Sequence, residues 1–194
     1  MTILTKSKTP KGDKNFWASS WPCFADATAL YGRRFALDVA AEPKTRKCLR
    51  YFTLPDTDAL STDWDRDWYC NPPFDQKIEF IERAHQQARL GRSGMMLLPY
   101  EPATGWWRKY LSTGVIVYEP DGRYAFLERD GLTKKDGVNF PSAFVLFPTH
   151  FVGESVRIPF MRGVGKYLID SVTIPPDLTP EELKIAELLT HVPF

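Results

Sequence analysis

The chain has 194 residues, 43% of them apolar, and a formal net charge of +1, which is enough for one well-buried α/β domain and too little for two ordinary ones. With no signal-type apolar region and no apolar run of membrane-spanning length, nothing suggests insertion or secretion and a soluble, cytoplasmic protein is expected. Cys23, Cys48 and Cys70 form no CxxC pair and lie far from His85, His150 and His191, so neither a disulfide framework nor a metal site is expected, and the balanced charge confines any nucleic-acid footprint to a local patch.

Residues 1–15 carry Lys6, Lys8, Lys11 and Lys14 without an apolar period and read as a basic arm. Ser19 or Ser20 caps a predicted helix with Pro22 in its first turn, an apolar face of Phe24, Ala27 and Leu30, and a stop at Gly32. Phe35 to Ala41 reads as a buried strand broken by Glu42-Pro43, and Leu49 to Thr53 as a second short one. A polar loop over 56–67 leads to Trp68-Tyr69-Cys70 and a third strand. Ile78, Ile81, Ala84, Ala88 and Leu90 recur at helical spacing up to Gly91, and 94–99 has the continuous apolar character of a central parallel strand. A helix around Trp106-Trp107 follows, then strands at 115–118 and 143–147 with a loop or hairpin through 122–126 between them; these later strands are candidates for antiparallel pairing. Prolines over 174–180 mark a linker, and Thr179, Pro180 and Glu182 start a last helix within 171–194.

The chemistry concentrates at Asn71-Pro72-Pro73-Phe74, between the third strand and the helix after it. Two prolines cannot continue a ladder, so the strand ends in a stiff rim. On that rim the Asn71 amide oxygen and the Pro72 carbonyl are two acceptors aimed at one place, matching the two donors of an exocyclic amine. Phe74 adds an aromatic face for a base that has left its stack. The plainer alternative is a strand-ending turn with Phe74 in the core. In an open parallel sheet, ligands bind beyond the carboxyl ends of strands at the switch in strand order, which places Asp38 and Asn71 in one crevice. No histidine beside a nucleophile and no paired carboxylates argue for a hydrolase.

These residues also form a collinear series. Phe16-Trp17-Ala18, Leu37-Asp38-Val39-Ala40-Ala41-Glu42-Pro43, Lys47-Cys48 with Arg50-Tyr51-Phe52-Thr53, Ala59-Leu60, Asp63-Trp64, Cys70-Asn71-Pro72-Pro73-Phe74 and Leu97-Leu98-Pro99 come in that order. Thr104 with Trp106, Gly122-Arg123 with Phe126, and Phe140-Pro141-Ser142-Ala143 complete it. The series resembles the phage-type DNA N6-adenine methyltransferases, the phage Dam family, over roughly residues 15–147. Two departures stand out: Ser19-Ser20 replaces the family's usual Thr-Pro, and no Gly-rich signature follows Asp38, where only Ala40-Ala41 keep side chains small.

The resemblance implies a compact Rossmann-like class I S-adenosylmethionine-dependent fold with a mostly parallel sheet over 16–170. It also implies methyl transfer to adenine N6 in flipped DNA, as in the modification of phage DNA against restriction. Asn71, Pro72, Pro73 and Phe74 are then catalytic. Asp38 partners the cofactor's ammonium or a bound water, Asp63 accepts from its adenosine, and Trp17 and Ala40 line the pocket, with Trp64 a further candidate wall. Arg123, Arg129, Lys134 and Lys135, within a candidate target-recognition stretch at 119–140, are the DNA-binding candidates, unless Glu119, Asp121, Glu128 and Asp130 simply balance a solvated hairpin. Competing readings are a methyltransferase acting on an RNA base or a protein glutamine, and a non-catalytic nucleic-acid-binding relative.

Overall fold

The computed structural model describes residues 15–136, 138 and 140–174. The expected basic arm and the C-terminal helix therefore lie outside the described residues. In chain order the elements are β1 (Ala18–Ser19), α1 (Trp21–Tyr31), β2 (Leu37–Asp38), β3 (Arg50–Tyr51), β4 (Trp68–Cys70), α2 (Lys77–Arg89), β5 (Gly94–Pro99), α3 (Gly105–Leu111), β6 (Ile116–Pro120), β7 (Phe126–Leu127), β8 (Ser142–Phe147), β9 (Val156–Phe160) and α4 (Ile169–Val172). A seven-stranded sheet has the order β3-β2-β4-β5-β8-β6-β9. Pairings β2–β3, β2–β4, β4–β5 and β6–β9 are parallel, whereas β8 is antiparallel to both β5 and β6. Thus β8 alone runs against the other six strands.

Alternation along the central strands divides the core. Met96 and Leu98 of β5, with Trp68 and Cys70 of β4, face Phe80 and Ile81 of α2 and Trp107 of α3. Met95, Leu97 and Tyr69 face the other way, toward Cys23, Phe24 and Ala27 of α1. A period of two on a sheet covered on both faces explains why β5 is buried at every residue. Gly94 starts it because a Cβ there would sit 2.1 Å from the Trp68 ring.

Local signals placed most helices well. Ser20 is the N-cap of α1 with Pro22 in the first turn, and Gly32, at φ 77°, closes the helix with its N–H on the Thr28 carbonyl. Thr104 Oγ1 caps α3 by accepting from Trp107 N–H. The strands differ more from expectation. Only Leu37–Asp38 of the expected 35–41 strand sits in a regular ladder, although Val39 N–H still reaches the Tyr69 carbonyl at 3.0 Å. Phe126–Leu127 does not fold back on β6; it pairs antiparallel with Ala18–Ser19, joining the segment before α1 to the hairpin after β6. Strand β9 and the turns after it, through Val172, carry no clear apolar period, because β9 is an edge strand exposed over most of its length and interrupted by Pro159.

A buried carboxylate secures those last turns. Asp26 of α1 accepts the Gly163 and Gly165 amides at 2.8 and 2.7 Å and the Tyr124 hydroxyl at 2.6 Å.

Candidate active site

Strand β2 has β3 on one side and β4 on the other, so the chain reverses its direction of travel across the sheet between β2 and β4. That is the switch point at which side chains leaving two neighbouring strands diverge and open a crevice. A cavity of about 370 Å³ lies there, walled by Asp38 to Glu42 beyond β2, Phe52 to Leu54 beyond β3, Asn71 and Pro73 beyond β4, and Phe16 to Ser19 across the mouth. Its volume falls in the range of small-ligand sites, about 300–1,000 Å³.

The crevice has a polar floor and an apolar slot. On the floor, Asp38 is 3% exposed. Among the described residues its carboxylate accepts only backbone amides, Lys47 N–H at 2.9 Å and Ala40 N–H at 3.4 Å. Burial pushes its carboxyl up to about 6, against the two amides and the nearby Lys47 charge, which lower it. Ser19 Oγ and the Tyr69 hydroxyl share a buried hydrogen bond of 2.7 Å at the same end, so Ser19 takes a polar place in the wall while Ser20 holds the N-cap position of α1 without a side-chain cap bond. In the slot, Phe52, Ala59, Leu60 and Phe80 supply apolar faces.

Asn71 stands where this crevice meets a second, smaller hollow lined by Trp17, Asn71, Pro72, Phe74, Lys77, Phe126 and Phe140. Its Nδ2 donates to the Trp17 carbonyl at 2.7 Å. That bond fixes the amide's orientation and leaves Oδ1 as the acceptor. The Pro73 carbonyl is engaged by Gln76 N–H at 3.1 Å, whereas the Pro72 carbonyl accepts nothing among the described residues. Phe74 lies 6.0 Å from Phe140, and the Lys77 ammonium is 4.7 Å from the Phe74 ring. Trp17 lines both spaces, stacks on Phe140 at 6.0 Å and has a buried indole N–H without a partner among the described residues. The proline corner thus joins an aromatic hollow to the crevice.

The hairpin after β6 closes over the mouth. Arg129 makes a two-pronged ion pair with Glu42 and lies 4.2 Å from the Phe16 ring centre. Gly131, at φ 73°, approaches the Lys44 carbonyl so closely that a Cβ would be 2.3 Å away. Lys135 pairs with Glu128 at 2.9 Å, and its ammonium is 5.8 Å from the Trp17 ring. Lys134 is exposed beside them. Arg123 is exposed at the other end of the stretch, where its carbonyl accepts from Arg162.

The structure therefore brings Trp17, Asp38, Ala40, Asn71 and Pro73 to one crevice, joins Pro72 and Phe74 to it through the hollow, and sets Arg129 at its rim. It does not bring Asp63 there. That carboxylate receives Arg92 at 2.9 Å, Arg83 at 3.1 Å and Gln87 at 3.1 Å, and these donors, Arg92 first, hold it below the usual carboxylate range. A residue tying the loop before β4 to α2 has no reach into the slot. Trp64 is likewise core, 4.8 Å from Trp68 in an edge-on pair. Asp63→Ala is expected to lower the melting temperature slightly and leave cofactor affinity unchanged, which thermal melts and calorimetry check together.

Sequence reasoning missed Lys47 as a site residue. Its side chain is 4% exposed, on the crevice wall. The available signal was only its place in the ordered series as Lys47-Cys48, since the surrounding Lys44, Arg46 and Arg50 make it look like one more solvated cation. No group of three or more His, Cys, Asp or Glu is placed to hold a metal among the described residues, and no helix among them is long and apolar enough to cross a membrane.

Comparison with known proteins identifies the family. The family model described as DNA N-6-adenine-methyltransferase (Dam) matches residues 6–162. A DNA N-6-adenine-methyltransferase of Haemophilus phage HP1 (strain HP1c1) is 32% identical over 148 residues, covering 75% of this chain and 85% of that protein. A second, of Escherichia phage T1, is 23% identical over 150 residues, covering 69% of this chain and 62% of the relative. With most of the chain matched by the family model and by a relative at 32% identity, the protein belongs to the phage-type Dam family of DNA N-6-adenine methyltransferases.

Proposed function

We propose that this chain transfers a methyl group from S-adenosylmethionine to N6 of an adenine swung out of DNA, with Asn71-Pro72-Pro73-Phe74 as the reacting corner. Family membership supports adenine methylation of DNA. The observation that carries the finer reading is the Asn71 amide, held by the Trp17 carbonyl at 2.7 Å on the wall shared by crevice and hollow. A single reversed strand among six parallel ones, with the crevice at the switch point, supports a Rossmann-like class I methyltransferase fold.

The residues present fit the cofactor. A buried carboxylate that, among the described residues, is satisfied only by backbone amides still has acceptor capacity for an ammonium. The apolar slot suits an adenosine, and Ala40 keeps the wall beyond β2 shallow. When bound, S-adenosylmethionine supplies an electrophilic methyl on a sulfonium centre.

Everything else falls to side chains of this protein. The N6 lone pair of adenine is delocalised into its ring, so it becomes nucleophilic only as that nitrogen pyramidalises. Oδ1 of Asn71 and the Pro72 carbonyl accept the two N6 hydrogens, favour the pyramidal geometry, and stabilise the positive charge that grows on nitrogen. Asn71 is not a general base, because a neutral amide does not hold the proton; it leaves to solvent after transfer. Phe74 stacks on the extruded base. The hollow, about 20 Å³, is far smaller than a purine, so Phe74 and Phe140 must part as the base enters.

DNA is held by the basic residues around the hairpin. Lys134 is exposed and Arg129 stands at the mouth, a placement suited to phosphates flanking the flipped nucleotide, with Arg123 and Lys135 extending the same surface. Lys134→Ala is expected to weaken DNA binding equally across sequences and to reduce the slope of log affinity against log salt by about one. Fluorescence anisotropy over a salt series measures both.

The decisive assay offers tritiated S-adenosylmethionine with DNA, RNA and protein fractions. Label is expected in DNA, as N6-methyladenine on nucleoside chromatography. Label confined to RNA or protein overturns the reading.

A further inference from the structure

The crevice floor holds a buried cation that methyl transfer does not require. Lys47 is 4% exposed and its ammonium donates one hydrogen bond, to the Thr45 carbonyl at 2.8 Å. It lies 4.3 Å from the centre of the Trp21 ring. Among the described residues no carboxylate comes within 4.0 Å of it. An ammonium has three donors, and a buried one is costly unless it is paired. Here one donor is used directly and the ring supplies a weaker interaction.

Asp38 is its complement. The Lys47 main-chain N–H binds the Asp38 carboxylate at 2.9 Å, so one residue links both charged groups, yet the two side chains are not joined in an ion pair. Two residues of opposite charge, both lining one cavity and each short of a direct ionic partner among the described residues, match a ligand carrying both signs on neighbouring atoms. An α-amino acid is such a ligand. Its ammonium and carboxylate are held on one carbon, so a single bound zwitterion satisfies both groups.

We propose that Lys47 binds the carboxylate of the cofactor's methionine end while Asp38 binds its ammonium, so that the pair selects the intact amino-acid end. This rests on the reading of the crevice as the S-adenosylmethionine site. Burial lowers the Lys47 amine to about 8, opposed chiefly by the charge of Asp38. The thiols of Cys23 and Cys48 are themselves pushed up by burial, so neither is an ionised partner at neutral pH. An arriving carboxylate supplies the missing anion and returns the amine toward its ordinary range.

The test is a cycle of two ligands and two proteins, read by calorimetry in the absence of DNA. The ligands are S-adenosylhomocysteine and its decarboxylated counterpart, which keeps the ammonium and lacks the carboxylate. Wild-type protein is expected to bind S-adenosylhomocysteine about 30-fold more tightly, as a charge-assisted hydrogen bond in a dry site implies. In Lys47→Met that gap closes, because only the tighter complex loses affinity. A gap of the same size in both proteins overturns the proposal, as does equal binding of the two ligands by wild type. The wild-type comparison stands even where Lys47→Met does not fold. Failure of wild type to bind S-adenosylhomocysteine at all instead overturns the cofactor reading of the crevice, a separate result.

Discussion

Asn71→Ala is expected to lower the single-turnover rate of methyl transfer by about 10²–10³, the usual cost of removing one preorganised partner of developing charge. Affinity for S-adenosylhomocysteine should change little. The reasoning starts from the 2.7 Å bond that Nδ2 makes to the Trp17 carbonyl. Because the amide is held before substrate arrives, its oxygen needs no reorganisation as charge grows on N6, and alanine removes both the acceptor and its anchor. The freed Trp17 carbonyl costs about 1 kcal/mol of stability, small enough for the variant to remain folded. Asn71→Asp separates the two contributions. It keeps an acceptor but turns a carboxylate oxygen, in place of an N–H, toward the Trp17 carbonyl, so its rate should lie between wild type and alanine. Tritium transfer into plasmid DNA at saturating cofactor provides the measurement. An alanine variant within about tenfold of wild type would remove Asn71 from the reacting corner.

How far the sequence anticipated this site depends on the range of each signal. The Asn-Pro-Pro-Phe corner was legible because its cause is local: prolines end a strand wherever the strand lies. Asp38 and Asn71 were placed together by a topological rule, and the β2–β4 pairing bears that out. Gly32 marks the end of its helix by backbone chemistry that needs no tertiary information. Asp63 was misplaced because an Asp on a polar loop looks the same whether it faces a cofactor or two arginines, Arg83 of α2 and Arg92 of the turn after it, that lie about 20 and 30 residues further on. The pairing of Phe126–Leu127 with Ala18–Ser19 escaped for a similar reason. Two-residue strands carry no period, and their partners lie more than a hundred residues apart. Lys47 was visible as a motif residue, but its burial arises only once β2, β3 and α1 have packed around it.

Asp38→Asn is expected to weaken S-adenosylhomocysteine binding by at least about 100-fold, because the ligand's ammonium would enter a buried site without its counter-charge. The same substitution should stabilise the ligand-free protein near neutral pH. Burial raises the Asp38 carboxyl from its ordinary value of 3.8 to about 6. A group whose folded value is raised contributes its stability in the protonated form. That contribution is complete below about pH 4 and is lost as the pH rises through about 6, at a cumulative cost on the order of 3 kcal/mol. Asparagine does not ionise and escapes that cost, although its NH₂ group loses part of the amide bonding that Asp38 receives from Lys47 and Ala40. Urea midpoints taken from pH 4 to 7.5 should therefore move in favour of the variant as pH increases, with the difference between the two proteins cancelling the titration of every other carboxylate. Ligand binding reverses the order. An ammonium beside Asp38 lowers its carboxyl again, so wild-type affinity should fall below pH 6 by up to tenfold per pH unit, while the variant's weak affinity stays flat across that range. A crevice floor that destabilises the empty protein and is relieved by its ligand ties cofactor affinity to the strain of burying Asp38. A variant that binds as tightly as wild type, with parallel urea profiles, would break that tie.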